Sequence, residues 1–129
     1  MKHLLTTIIF LFTLMFSSTS HAEWTRVATN IDGTSIYVDF DRMKKHDGYV
    51  YYWELADYPE PIAGDMSVNA FLQGDCKLFR TKVLSFSFHK EPMGGGRGNH
   101  VEPDEKRRKW RYPPPHSTAE ATLKFVCNR

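Results

Sequence analysis

Five of the six side chains from Lys106 to Arg111 are cations (Lys106, Arg107, Arg108, Lys109 and Arg111), and the sixth is Trp110. Such a run makes a local positive field that suits an acidic polysaccharide, an anionic lipid or a nucleic acid. The indole adds a face on which a sugar or a base can stack. The same density of lysine and arginine also serves a solvated edge kept from aggregating. Glu102, Asp104 and Glu105 are close enough in sequence to neutralise it.

Other chemistries fit the sequence less well. His46, His89, His100 and His116 are scattered without a partner at ligand spacing, so no metal is expected. The stretch holding His100, Glu102, Asp104 and Glu105 reads as a solvated loop, because a cation site needs fixed geometry around its ligands. Asp39, Asp41, Glu54, Asp57, Glu60 and Asp75 form no recognisable acid–base pair. Gly94-Gly95-Gly96-Arg97-Gly98 lacks the lysine of a phosphate-binding loop and a helix start behind it, so a turn is the better reading. No catalytic residue and no cofactor are expected. A small hydrolase would need a pocket that sets a histidine, for example His89, beside a carboxylate.

The two cysteines, Cys76 and Cys127, say most about where the protein works. Met1 to Ala22 has the form of a secretory signal peptide: Lys2 begins it, Leu4 to Phe16 is an apolar run too short to span a bilayer, and Ser20-His21-Ala22 suits signal peptidase. An even cysteine count in a small exported domain implies an oxidising compartment. Two cysteines allow one pairing, so a structural Cys76–Cys127 disulfide is expected and neither offers a thiolate. Closing so long a loop stabilises a fold by ~4 kcal/mol in the chain-entropy model.

The mature chain, Glu23 to Arg129, is one domain's worth of sequence. Its formal charge falls from +2 to +1 when Lys2 leaves with the leader. No second apolar stretch predicts a membrane span, and a leader without cysteine predicts no lipid anchor. The expected product is exported, periplasmic or at the cell surface. Nucleic acid is then no natural partner, which leaves acidic polysaccharide or an acidic protein patch for the Lys106–Arg111 segment.

The elements that must position these residues are mostly strands. Trp24 to Thr29 and Thr34 to Phe40 flank Asp32-Gly33, a pair suited to positive φ in a hairpin turn. Ile36, Val38 and Phe40 share one face. Asp41 to Lys45 suits one helical turn, and His46-Asp47-Gly48 a reversal. Tyr49 to Ala56 is apolar on both sides, with Tyr49, Tyr51, Trp53 and Leu55 opposite Val50, Tyr52, Glu54 and Ala56. Such a strand is central, covered, or part of an interface. Tyr58-Pro59-Glu60-Pro61 predicts a break.

Val68 to Gln73 and Cys76 to Lys90 read as strands around Gly74-Asp75. The second run switches its apolar face, so a bulge is expected near Val83-Leu84. Glu91 to Glu105 is loop-like, and Pro113-Pro114-Pro115 stiffens the approach to a helix. That helix starts at Ser117 in a capping box with Glu120. Ala119, Leu123, Val126 and Cys127 make its apolar stripe. The pattern predicts an α+β domain: an antiparallel β-sheet with a C-terminal α-helix packed on it and tied by one disulfide.

In order along the chain, a set of short motifs resembles the surface-adhesin protein E family of bacterial envelope proteins. They are Tyr37-Val38-Asp39, Trp53-Glu54-Leu55, Asp57-Tyr58-Pro59-Glu60-Pro61, Ser67-Val68, Asp75-Cys76 and Arg80. They continue with Met93-Gly94-Gly95-Gly96, Trp110, and Ser117 leading to Val126-Cys127. The resemblance implies a small antiparallel sheet with a disulfide-linked C-terminal helix, often a homodimer, and binding to extracellular-matrix proteins such as vitronectin and laminin. It implies no catalytic residues. Two departures stand out: the namesake adhesin is a lipoprotein, and it is basic where this chain reads Ile62-Ala63-Gly64-Asp65.

The functional expectation is a non-enzymatic exported binding module. It would use exposed aromatics from Tyr49 to Trp53 and the basic segment Lys106 to Arg111; the aromatic strand also suits a dimer seam or core, and for Tyr51 and Trp53 core is the better reading. The alternative is a periplasmic structural or envelope-maintenance factor without a host ligand.

Overall fold

A computed structural model describes residues 22–129. The predicted signal peptide lies outside the described residues except for Ala22. Seven strands form one antiparallel sheet: β1 (Thr25–Thr29), β2 (Ser35–Val38), β3 (Lys44–His46), β4 (Tyr49–Ile62), β5 (Asp65–Asp75), β6 (Arg80–His89) and β7 (Gly98–Val101). The order across the sheet is β1-β2-β4-β5-β6-β7, with β3 paired to β4 beside β2. One α-helix, α1 (Thr118–Cys127), closes the described chain.

Local chemistry explains the turns. Asn30 Oδ1 accepts from the N–H groups of Asp32 and Thr34, each at 3.0 Å, which closes the β1–β2 turn. Asp47 and Gly48 both have positive φ (52° and 81°), the primed geometry that joins two twisted strands through two residues. The expected helical turn after β2 is a 3-10 turn at Phe40–Arg42, capped by Asp39, and the chain then re-enters the sheet as β3.

Three sequence expectations are corrected. The double-proline segment does not end β4, which runs on to Ile62. Its ladder to β5 is interrupted between Asp57 and Ile62, so both prolines sit where no pairing with β5 needs their missing N–H. Gly74 and Asp75 are not a turn; they complete β5, and the reversal falls at 76–79. The expected loop from Glu91 also contains a 3-10 turn and the edge strand β7. The bulge is where the face switch placed it: Leu72 pairs with Val83 and Phe71 with Ser85, leaving Leu84 as the extra residue.

The core lies between the sheet and α1. Val38, Val50, Tyr52, Leu72 and Val126 form one buried cluster, and Leu123 is fully buried beside them. Gly74 permits this approach, since a Cβ there would stand 2.8 Å from Val50 Cγ1 and 3.4 Å from Leu123 Cδ1. The helix stripe is Thr122, Leu123 and Val126, whereas Ala119 is exposed. Buried Thr122 satisfies its hydroxyl on the Thr118 carbonyl at 2.7 Å. Ser117 Oγ accepts from the Glu120 N–H at 3.1 Å, as the capping box requires, while Glu120 reaches back to His116 N. The Cys76–Cys127 disulfide joins the last residue of α1 to the β5–β6 turn across a separation of 51 residues.

Candidate functional site

Alternation along the strands assigns every side chain to one of two faces. The face away from α1 carries Tyr49, Tyr51, Trp53 and Leu55 on β4, Phe71 and Gln73 on β5, and Arg80 and Lys82 on β6. Tyr52 is the buried aromatic of β4, and Tyr51 and Trp53 are half-buried on this open face.

One end of the open face is closed by the chain itself. The 3-10 turn Pro92–Gly94 folds over Leu55, which is fully buried, and the Cβ position of Gly94 lies 3.5 Å from Leu55 Cδ1. Ser67 anchors that turn: its hydroxyl donates to the Glu91 carbonyl (2.7 Å) and accepts from the Gly94 N–H (2.8 Å). Met93 N–H donates to Asp57 Oδ1 at 2.7 Å. The His89 Nδ1–H donates to the Gly95 carbonyl at 3.1 Å. The glycine segment is therefore a strapped turn. His89 is buried, and its ring partner is a main-chain carbonyl, not the carboxylate a hydrolase would use.

The rest of the face is an aromatic stripe. Trp53 and Phe71 stand 4.9 Å apart between ring centroids, Tyr51 and Phe71 6.2 Å, and Tyr49 and Trp110 5.5 Å. Trp110 arrives from the return segment, whose Arg111 exchanges both main-chain hydrogen bonds with Thr81. Arg80 and Lys82 each place their charge 4.4 Å from the Trp110 centroid. Arg80 is in turn held by Asp75 Oδ2 at 2.9 Å. The Leu78 N–H and then Arg80 hold the Asp75 carboxyl below the usual carboxylate range.

The basic segment is thus divided. Trp110 packs on the open face; Arg111, paired with Thr81, departs on the other side of the sheet. Arg108 is half-buried and donates to the Leu84 carbonyl at 3.3 Å. Lys106, Arg107, Lys109 and Arg111 remain exposed. Among the described residues none of the nearby acids forms an ion pair with the run: Glu102 lies against His100, and Asp104 accepts from the Arg107 N–H.

Cations that sequence reading did not single out flank the stripe on the opposite side. Arg42 lies 5.3 Å from the Trp53 centroid and 5.9 Å from that of Trp24. Its Nε donates to Asp39 Oδ2 at 2.7 Å, and Asp39 is only 1 % exposed. Lys44 pairs in register with Tyr51, so one row across the sheet reads Lys44, Tyr51, Gln73, Lys82. Asp41, Arg42, Lys44, Tyr51, Trp53 and Phe71 line a cleft of about 310 Å³. Period-two reading of the Arg80-Thr81-Lys82 run could have put Arg80 and Lys82 on the tyrosine face. Arg42 and Lys44 gave no such local signal.

Among the described residues no group of histidine, cysteine or carboxylate side chains is placed to hold a metal ion. No described helix is long and apolar enough to cross a membrane. A sheet whose C-terminal helix is disulfide-linked to a strand turn, with an open aromatic face, defines the class structurally. Residues 24–128 match the family model for surface-adhesin protein E, and the chain belongs to that family.

Its fold is similar to that of Haemophilus influenzae protein E. In one crystal form the TM-score is 0.62 at 17 % identity, over 85 % of this chain and 91 % of that one. A structure of protein E from non-typeable Haemophilus influenzae gives 0.59 at 16 % identity, over 86 % and 79 %. No curated protein matches the chain.

Proposed function

We propose that the protein is a non-enzymatic, exported, adhesin-like binding module of the bacterial envelope, with the open face of its sheet as the ligand surface. One observation carries this reading: the Tyr49–Trp110 stack joins the aromatic strand to the basic segment at Trp110, with Arg80 and Lys82 over the same indole. Aromatic anchors with a cationic rim are the usual composition of a protein-recognition patch. Membership of the adhesin family supports the same reading, and extracellular-matrix proteins such as vitronectin and laminin are the partners it suggests.

The test is binding of the chain to immobilised vitronectin and laminin, beside a variant with Lys106, Arg107 and Lys109 all replaced by Gln. The variant is expected to bind more weakly and with a flatter salt dependence. Equal binding by both proteins overturns the assignment of this surface. Protease digestion of intact cells, compared with cells whose outer membrane has been opened, decides between surface and periplasm.

A further inference from the structure

We infer that the cleft beside Arg42 is a subsite for one uronic-acid unit of an anionic polysaccharide laid along the aromatic stripe. This names the ligand class of the surface proposed above and rests on that reading. Three features of the cleft select it.

The first is a fixed cation. Asp39 engages Arg42 only through Nε, which leaves the two terminal nitrogens of the guanidinium without partners among the described residues. A guanidinium held in this way presents a planar fork that matches a carboxylate. Lys44, exposed and one strand outside Tyr51, adds a second charge at the same rim.

The second is an aromatic wall. Tyr51, Trp53 and Phe71 pack on one another, with centroids 4.9 Å (Trp53–Phe71) and 6.2 Å (Tyr51–Phe71) apart, and line the cleft with apolar surface for the C–H groups of a pyranose, beside the cation that would take its carboxylate. Tyr49 to Trp53 spans about 14 Å of strand, room for a short run of sugar rings. Lys82 flanks the far side of that run.

The third is an acid within the cleft. Asp41 lines it, and a carboxylate there accepts hydrogen bonds from sugar hydroxyls but repels a dense row of phosphates or sulfates. The cleft therefore suits a single carboxylate per sugar ring set among hydroxyls, not the several sulfates or phosphates of a denser polyanion. A peptide strand would compete for main-chain bonds at a sheet edge, whereas this site is on the side-chain face.

The experiment is calorimetric titration of the full mature chain with polygalacturonate oligomers, with neutral dextran as control, at two salt concentrations. Three variants accompany it: Arg42→Gln, Lys44→Gln, and Lys77→Gln as an equal charge change on the exposed β5–β6 turn. Polygalacturonate should bind and dextran should not. Arg42→Gln should raise Kd about tenfold or more, Lys44→Gln severalfold, and Lys77→Gln should leave it unchanged. Lys44 forms no ion pair among the described residues, so its variant tests the site without disturbing the fold.

Equal Kd values for all three variants overturn the inference, as does tighter binding of a single-stranded oligonucleotide than of polygalacturonate. Self-association through this face, abolished by Arg42→Gln, would assign it to a second copy and equally overturn it. Matrix-protein binding without polygalacturonate binding sinks the inference and leaves the proposed function standing; failure of both removes both.

Discussion

Glu54 stands on the helix side of β4, in register with Val38 and Ala70. Burial pushes its pKa from 4.5 up to about 7. The folded protein therefore holds a proton on Glu54 over a pH range in which the unfolded chain has released it. The contribution of this group to stability is complete below about pH 4.5 and is lost as pH rises through 7. At ~1.4 kcal/mol per pKa unit, the ceiling on that loss is roughly 3 kcal/mol. A half-buried side chain keeps some water, so on the order of 1–3 kcal/mol is expected.

Glu54→Gln keeps the shape and removes the titration. Urea unfolding of both proteins at pH 4, 6 and 8 should show equal stability at pH 4 and a growing advantage for the variant towards pH 8. A gain of the same size at pH 4 and pH 8 would mean that packing, not charge, separates the two proteins. No gain at pH 8 would mean that water already reaches the carboxylate. Either result refutes the reasoning.

Two further predictions concern how the chain is held together. Cys127→Ser should cost ~4 kcal/mol and lower the melting temperature under oxidising conditions; an unchanged melting point would show that Leu123 and Val126 hold α1 unaided. Ser67→Ala removes the two hydrogen bonds that Ser67 gives the Pro92–Gly94 turn and its cap Glu91, at about 1 kcal/mol each. Hydrogen exchange at the Gly94 amide should accelerate, and unaltered exchange would place the anchor in the Met93 and Gly95 contacts instead.

What could be read from the sequence was local. Gly33 and the Asp47-Gly48 pair mark turns because few residues accept their positive φ. The side switch from Val83 to Phe86 betrays the bulge at Leu84 because the strand period is two. Ser117 marks the helix start by its cap. Pro59 and Pro61 misled because their cost depends on the partner strand, and β5 is offset there. β7 escaped notice because Gly98 to Val101 form a strand only by docking on β6.

The binding face was legible in pieces. Tyr49 to Trp53 and Lys106 to Arg111 were visible as separate features. Their junction at Trp110 and Tyr49 depends on the return segment meeting Thr81, a contact 30 residues away. Arg42 became part of the site only because buried Asp39 turns it over Trp53.

Were the proposed module to carry mechanical load, the disulfide would also limit how far the chain can be drawn out. Load entering at the N-terminus and leaving at the C-terminus can pass from Cys76 directly to Cys127 and bypass the stretch between them, a sequence separation of 51. That stretch holds β6, β7 and nearly all of α1. At about 3.3–3.6 Å per extended residue it represents ~170–180 Å of slack that tension cannot release. Under load the oxidised domain behaves as a short tether carrying a closed knot of structure, and Lys82 and Trp110 both lie inside it.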